Sequence, residues 1–280
     1  MLDRNSHDRY AVIGNPIAHS KSPAIHCEFA EQTGQRLTYE ALLAPLDDFA
    51  GAWQRFREAG GKGANVTVPF KEQAWALSQQ RTHRAELAGA VNTLSIAANG
   101  ELLGDNTDGI GLVRDITANA GWSLAGKRIL ILGAGGAARG VIQPLLAAGA
   151  AQIVVANRTL AKAQTLAQVF AGEGDVQALA LSALGQVAQP FDVLINATSA
   201  SLQGESLDLP ASVHHANSAA YDMMYGSETP FLRWAAAQGL THRRDGAGML
   251  VEQAAEAFFI WRGVRPSTEN LLLAMRQEPK

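Results

Sequence analysis

The stretch Lys127–Gly140, KRILILGAGGAARG, decides the fold. Its apolar run from Ile129 to Leu132 has no polar alternation, the pattern of a strand buried on both faces in a parallel sheet. Gly133, Gly135 and Ala138 then form G-x-G-x-x-A, and a helical pattern begins at once. In that setting the first glycine permits a tight turn, the second lets the backbone approach a pyrophosphate, and Ala138 keeps the helix close to the strand. The amides at the helix start are left to face the phosphates. The stretch therefore predicts a Rossmann-type dinucleotide-binding unit. The strand after it, AQIVVANRT, ends in Asn157, Arg158 and Thr159, where a free ribose 2′-hydroxyl would call for a carboxylate. An arginine there suits a 2′-phosphate, and Lys162 lies one turn further on. NADP is accordingly expected rather than NAD.

Outward from this unit, β-like runs alternate with helical ones, which argues for parallel sheets covered by helices. Strands are expected at Tyr10 to Asn15, Leu37 to Ala44 and Gly63 to Val68, with helices from Pro23, Asp47 and Phe70. Between Val91 and Asn106 the pair Asn99 and Gly100 predicts a hairpin. A helix should follow Asp108, and further strands should cover Phe191 to Ser199 and Ser218 to Tyr225. From about Gly246 the chain reads as helical, ending at Gly263 with Pro266 just beyond. Boundaries are expected near Gly109 and near Asp245, which divides the chain into 1–109, 110–245 with the dinucleotide-binding unit, and a helical segment over 246–280.

Composition narrows the class. At 280 residues, 47% apolar and 18% charged, the chain reads as a two-domain globular protein. A net charge of -3 with scattered Lys and Arg offers no footprint for nucleic acid or an anionic membrane. The N-terminus lacks an apolar signal region, and no run approaches the roughly 18 apolar residues of a membrane span. A cytoplasmic location is expected. The single cysteine, Cys27, excludes an internal disulfide framework and reads as a small packed hydrophobe. His19 and His26 read as structural.

Chemistry-bearing residues gather in the first part. In NVTVPFK, Asn65 to Lys71, Pro69 should end a strand so that Lys71 stands where the ends of parallel strands line a crevice. GNPIAHSKSP places Ser20 and Ser22 two apart, on one side of the chain if it is extended, where both hydroxyls could address one oxyanion; as single residues, serines also cap helices. Asn92 carries an amide that both donates and accepts. Asp105, Asn106 and Asp108 lie in a glycine-bounded turn, but two aspartates without a further acidic ligand do not make a calcium loop, and no metal is expected.

GNPIAHSKSP, NVTVPFK, GAVNTL, GDNTDG, GAGGAARG, NRT, NATS, YDMMY and GAGMLVEQA, in this order from Gly14 to beyond Gln253, resemble the shikimate dehydrogenases. The resemblance implies an NADP-linked interconversion of 3-dehydroshikimate and shikimate by a monomer or homodimer. It implies Lys71 and Asp108 as the catalytic pair, and Ser20, Ser22, Thr67, Asn92, Tyr225 and Gln253 as the substrate-binding set. Gly133, Ala134, Gly135, Gly136, Ala137, Asn157, Arg158, Thr159, Lys162, Thr198 and Gly246 would hold the cofactor. It also implies that the C-terminal helices return to the first domain. The chain departs from the family pattern at Cys27, where an amide is frequent, and at Ser201, where glycine is common. Two rival functions remain. Ser22 and Arg158 disfavour a quinate dehydrogenase using NAD, and the presence of both Lys71 and Asp108 disfavours a silent NADP sensor.

Overall fold

Two six-stranded sheets organise the chain, and the computed structural model describes residues 7–198, 209–226 and 228–277. One compact unit takes the chain up to Thr107 together with Val251–Leu273; the other takes Asp108–Leu250 and the end of the chain from Ala274. Ser201 lies outside the described residues.

The first unit is built on β1 (Asp8–Gly14), β2 (Leu37–Leu43), β3 (Gly61–Val66), β4 (Gln80–Arg81), β5 (Thr93–Ile96) and β6 (Leu102–Asp105), in the order β2-β1-β3-β5-β6-β4. β1 pairs in parallel with β2 and β3, but β5 runs antiparallel to both β3 and β6. The hairpin expected at Asn99 and Gly100 joins β5 to β6, with Gly100 at φ 83° making a tight return. A parallel return needs a crossover of a dozen or more residues. The helices are α1 (Ser22–Thr33), α2 (Phe49–Glu58), α3 (Lys71–Leu77) and α4 (His83–Ala88). Asp48 and Thr82 cap α2 and α4 by accepting the amides of Gly51 and Ala85, contacts that replace first-turn hydrogen bonds the helix cannot make.

β3 ends at Val66, two residues sooner than expected. Thr67 still donates its amide to Ile13 O at 3.0 Å, but Phe70 N then turns back to Thr67 O at 3.0 Å. Pro69 therefore sits inside a turn rather than at a strand end, and the Val68–Pro69 bond is cis, as is Asn15–Pro16. Phe70, wholly buried and stacked on Phe49 with centroids 5.2 Å apart, fixes the residue before Lys71.

The second unit contains α5 (Asp108–Arg114), which widens into a π-helical turn at Asp115–Asn119, then β7 (Arg128–Leu132), α6 (Gly136–Ala147), β8 (Gln152–Asn157), α7 (Leu160–Val169), β9 (Val176–Ala180), β10 (Phe191–Asn196), β11 (His214–Asp222), α8 (Pro230–Ala237) and β12 (His242–Arg244). Every pairing is parallel, in the order β9-β8-β7-β10-β11-β12. Numbered within the unit this is 3-2-1-4-5-6, the doubly wound Rossmann order. β11 stops at Asp222, so Met223 to Tyr225 lie beyond the strand expected there. Met223 N still bonds Asn196 O at 3.0 Å, but Met224 N turns to the Asp222 carboxylate at 3.0 Å, and this leaves no amide for the ladder.

Two helices close the chain, α9 (Ala247–Arg262) and α10 (Glu269–Gln277). From Val251 onward α9 belongs to the first unit. Trp261 donates to Leu94 O at 3.1 Å and stacks on Tyr10 at 4.7 Å, while Arg262 reaches Asp8 at 2.5 Å. This unit takes α9 from Val251 and α10 as far as Leu273, while the chain from Ala274 belongs to the other unit. Among the described residues no helix is long and apolar enough to cross a membrane.

Candidate active site

In the first unit the predicted residues cluster around the loops that leave the sheet. The loop after β1 is held by Asn15, whose amide N donates to Val68 O at 3.1 Å and whose side chain donates to Ala44 O at 2.8 Å. Ser20 and Ser22 are not presented by extended chain. Lys21 between them is helical at φ -81° and ψ -10°, and Ser22 N donates to Ser20 Oγ at 3.3 Å. Ser20 Oγ is thereby engaged by the chain next to it, because Pro23 commits that chain to a helix. Ser22 is buried in the first turn of α1. Thr67 is half-buried after β3, and half-buried Lys71 opens α3 with its carbonyl accepting Val91 N at 2.9 Å.

Behind these residues runs a buried polar chain. Tyr39 Oη donates to Asn65 Oδ1 at 2.7 Å, and Asn65 Nδ2 donates to Asn92 O and to Thr93 Oγ1, each at 3.1 Å. Thr93 Oγ1 donates to Asn92 Oδ1 at 2.8 Å, which also accepts Thr107 N at 2.9 Å. Asn92 Nδ2 donates to Thr107 Oγ1 at 3.0 Å and to Gln253 Oε1 at 3.3 Å. Burial pushes the Tyr39 phenol well above its usual value, with a hydrogen bond from Ser22 pulling the other way. The chain therefore joins Ser22 at one end to Gln253 at the other. Sequence reading named Ser22, Asn92 and Gln253 but missed Tyr39, Asn65, Thr93 and Thr107.

Beside it lies His26, fully buried and stacked on Tyr39 at 4.1 Å and 5°, with Trp261, Phe258 and Phe29 around it. Neither ring nitrogen has a hydrogen-bond partner of good geometry. Burial lowers its pKa to about 3, with the Asn65 side chain pulling weakly upward. Cys27, expected to be packed, is exposed because it occupies the outer face of α1. His19 is exposed as well.

The second unit carries the glycine loop. Gly133 has φ 99°, a left-handed conformation that disfavours any residue with a Cβ, and its amide bonds Ala156 O at 2.8 Å. α6 begins without a side-chain cap, and a Cβ added at Gly135 or Gly136 would meet nothing within 4 Å. Open amides on bare backbone fit a pyrophosphate. Ala138 is fully buried and Ala137 exposed, with Ala134 between these extremes. At the end of β8, Asn157 Nδ2 donates to Thr159 O at 2.9 Å, shaping the turn that exposes Arg158, Thr159 and Lys162. Thr198 donates through Oγ1 and N to Asn196 Oδ1 at 2.7 and 3.1 Å, beside the glycine turn. Gly246 bonds Met224 O at 2.9 Å, and a Cβ there would collide with the backbone of Met223. Tyr225 is 39% exposed beyond β11. Half-buried Asp108 opens α5 as the first residue of this unit, so the two members of the expected catalytic pair belong to different units.

Three family models match the chain. They describe the shikimate dehydrogenase substrate-binding domain over residues 12–94, shikimate/quinate 5-dehydrogenase over 115–204 and the shikimate 5′-dehydrogenase C-terminal domain over 246–272. The NADP(+) shikimate dehydrogenase of Aromatoleum aromaticum is 58% identical over 273 residues, covering 97% of this chain and 98% of that protein. The chain belongs to the shikimate dehydrogenase family. Solved structures superpose over nearly its whole length. The Ael1 enzyme from Pseudomonas putida, 48% identical, gives a TM-score of 0.90 over 96% of this chain and 98% of the other. Shikimate 5-dehydrogenase from Thermus thermophilus, in complex with NADP(H) and shikimate, is 37% identical with a TM-score of 0.83 over 96% and 99%. Within a shikimate dehydrogenase framework, the buried chain from Tyr39 to Gln253 underlies the loops of the substrate-binding domain. The open glycine loop belongs to the nucleotide-binding one.

Proposed function

We propose that this shikimate dehydrogenase reduces 3-dehydroshikimate to shikimate with NADPH, and the reverse with NADP. The observation that carries the reading is 58% identity over almost the whole of both chains to an enzyme of that activity, joined to a glycine loop whose amides are open to a pyrophosphate. When bound, NADPH supplies the hydride that reaches the ketone carbon of the substrate. The protein has to supply a proton to the ketone oxygen as its charge develops.

Lys71 is the proton donor in this reading, and Asp108 its partner in restoring the proton. Ser20 and Ser22 hold the substrate carboxylate, and Thr67, Asn92, Gln253 and Tyr225 orient the ring and its hydroxyls. Asn92 and Gln253 are already aligned on one another, so little ordering is required when substrate binds. On the cofactor side, Arg158 offers a planar fork to the 2′-phosphate and Lys162 a less directional charge. Gly133 to Ala137 would cradle the pyrophosphate, Asn157 and Thr159 shape the turn that would meet the ribose, and Thr198 and Gly246 would complete the cofactor-binding set. We place the reaction in the cytoplasm, where NADPH is kept reduced.

The test is loss of NADPH absorbance on adding 3-dehydroshikimate to the purified protein, with the same measurement for NADH and, in reverse, for quinate. Turnover with 3-dehydroshikimate and NADPH is expected to exceed the others by far. Absence of that turnover, or equal use of NADH, would sink the reading.

A further inference from the structure

We infer that Arg84 is a positioning residue for the substrate site, acting through two buried carboxylates to hold Thr107 and Gln253 against Asn92. The inference rests on the proposed function in one respect, that Asn92 and Gln253 touch substrate. Arg84 leaves the first turn of α4. Its Nε and Nη2 donate to the two oxygens of Asp105, each at 2.7 Å, and Nη2 also donates to Glu256 Oε1 at 3.2 Å. Asp105 is 5% and Glu256 9% exposed.

Each carboxylate belongs to a different segment that carries a residue of the polar chain. Asp105 Oδ1 accepts Thr82 Oγ1 and the amide of Asn106, both at 2.6 Å, and Asn106 Nδ2 donates to Ala90 O at 3.0 Å. These bonds fix the backbone that delivers Thr107 to Asn92. Glu256 lies one turn beyond Gln253 on α9, so the two side chains share a helix face. Its other oxygen is held by Arg265. One guanidinium therefore sets the rotation and height of α9 relative to the end of β6.

Charge makes the arrangement sensitive to the shape of the cation. A buried ion pair is weak evidence for stability, because apolar packing would serve at least as well. Its directional value is greater, since the planar fork of arginine fits Asp105 with two parallel bonds while a third donor position reaches Glu256. A lysine at the same place keeps the charge but is a point donor, and cannot hold both carboxylates in that geometry.

The test is a kinetic cycle in the full-length enzyme with NADPH. Arg84→Lys is expected to raise KM for 3-dehydroshikimate roughly two- to tenfold, the worth of a misaligned hydroxyl hydrogen bond. KM for NADPH should stay at the wild-type value. Gln253→Ala should also raise KM for 3-dehydroshikimate. The double variant should fall well short of the product of the two effects, since a Gln253 already out of place has less to lose. Glu256→Gln, which leaves the Arg84–Asp105 fork intact, should give a smaller shift of the same kind and serves if Arg84→Lys does not fold. A lowered melting temperature with unchanged substrate KM, or single effects that multiply, would overturn the inference. Failure of wild type to turn over 3-dehydroshikimate would instead refute the function on which it rests.

Discussion

His26 should make the first unit acid-sensitive from about pH 6.5 downward, above the range in which carboxylates begin to titrate. Its ring is wholly buried among Tyr39, Trp261, Phe258 and Phe29, and its pKa falls to about 3 from an ordinary value of 6.5. A folded pKa below the unfolded one means that the unfolded chain takes up the proton first. The stabilisation is therefore complete above about pH 6.5 and is lost progressively as pH falls toward 3. Over the whole window the shift corresponds to about 5 kcal/mol, and between about pH 7.5 and about pH 5 to about 2 kcal/mol. The Tyr39 ring beside it remains a neutral phenol throughout, so it offers no charge to offset the cost. The assay is urea unfolding of wild type and His26→Phe at those two pH values. Phenylalanine keeps the stacked ring but cannot be protonated, so wild type should lose about 2 kcal/mol more than the variant across the interval. Equal losses in the two proteins would refute the reasoning, whatever the absolute stability of the variant.

Lys71→Ala should lower kcat by roughly 10² to 10⁴ with much less change in KM, the range for a lost general acid; a normal kcat with a raised KM would make Lys71 a binding residue. Arg158→Ala should weaken NADP binding by roughly ten- to 100-fold and leave NAD affinity unchanged, because only NADP carries the 2′-phosphate. Titration of both cofactors at one salt concentration decides this, and equal losses would remove the phosphate from the explanation. Gly248→Ala should destabilise the second unit by about 2 to 3 kcal/mol, since its Cβ would collide with the fully buried Asp115 carboxylate. That carboxylate cannot easily move aside, because it accepts Tyr221 Oη at 2.8 Å and Asn119 Nδ2 at 3.1 Å. A melting temperature equal to that of wild type would show that it can.

The nucleotide-binding unit was legible because its signals are local. Ile129 to Leu132, Gly133 and Gly135 state a strand, a turn and a helix start within ten residues of one another, and the structure puts them on β7 and α6. The strands that went unread, β4, β9 and β12, are a two-residue edge, a partly exposed edge and a three-residue edge. Such strands owe their state to the neighbour they pair with, not to their own pattern. The site was legible where a residue interrupts a pattern, as Lys71 does after Pro69. It was illegible where a polar residue sits inside a strand that looks ordinary. Tyr39 belongs to LTYEALL and Thr93 to TLSI, and nothing in either run tells a buried hydrogen-bonding side chain from one that simply fits a strand. The serine pair differs from its expected geometry for another reason, since the extended chain assumed for it is displaced by the helix that Pro23 starts.

The two units solve the same problem with the same chemistry. In the first, amide and hydroxyl side chains from β2, β3, β5 and the end of β6 close on one another beneath the loops. In the second, Asn196 at the end of β10 donates to Asp222 at 3.1 Å, and Asp222 accepts Thr229 Oγ1 at 2.6 Å. Polar groups this deep must be paired, or the fold bears their desolvation. The pairing has a consequence for substrate choice. Because Asn92 and Gln253 already bond to each other, a substrate hydroxyl arriving there exchanges bonds rather than adding them, and its net contribution is limited to about 0.5 to 1.5 kcal/mol. Most of the binding energy must then come from the charged carboxylate, while the hydroxyl contacts act chiefly on orientation. Discrimination against a ring with a missing or inverted hydroxyl should accordingly appear more in kcat than in KM, because a misplaced ketone still binds through its carboxylate but does not meet the proton of Lys71.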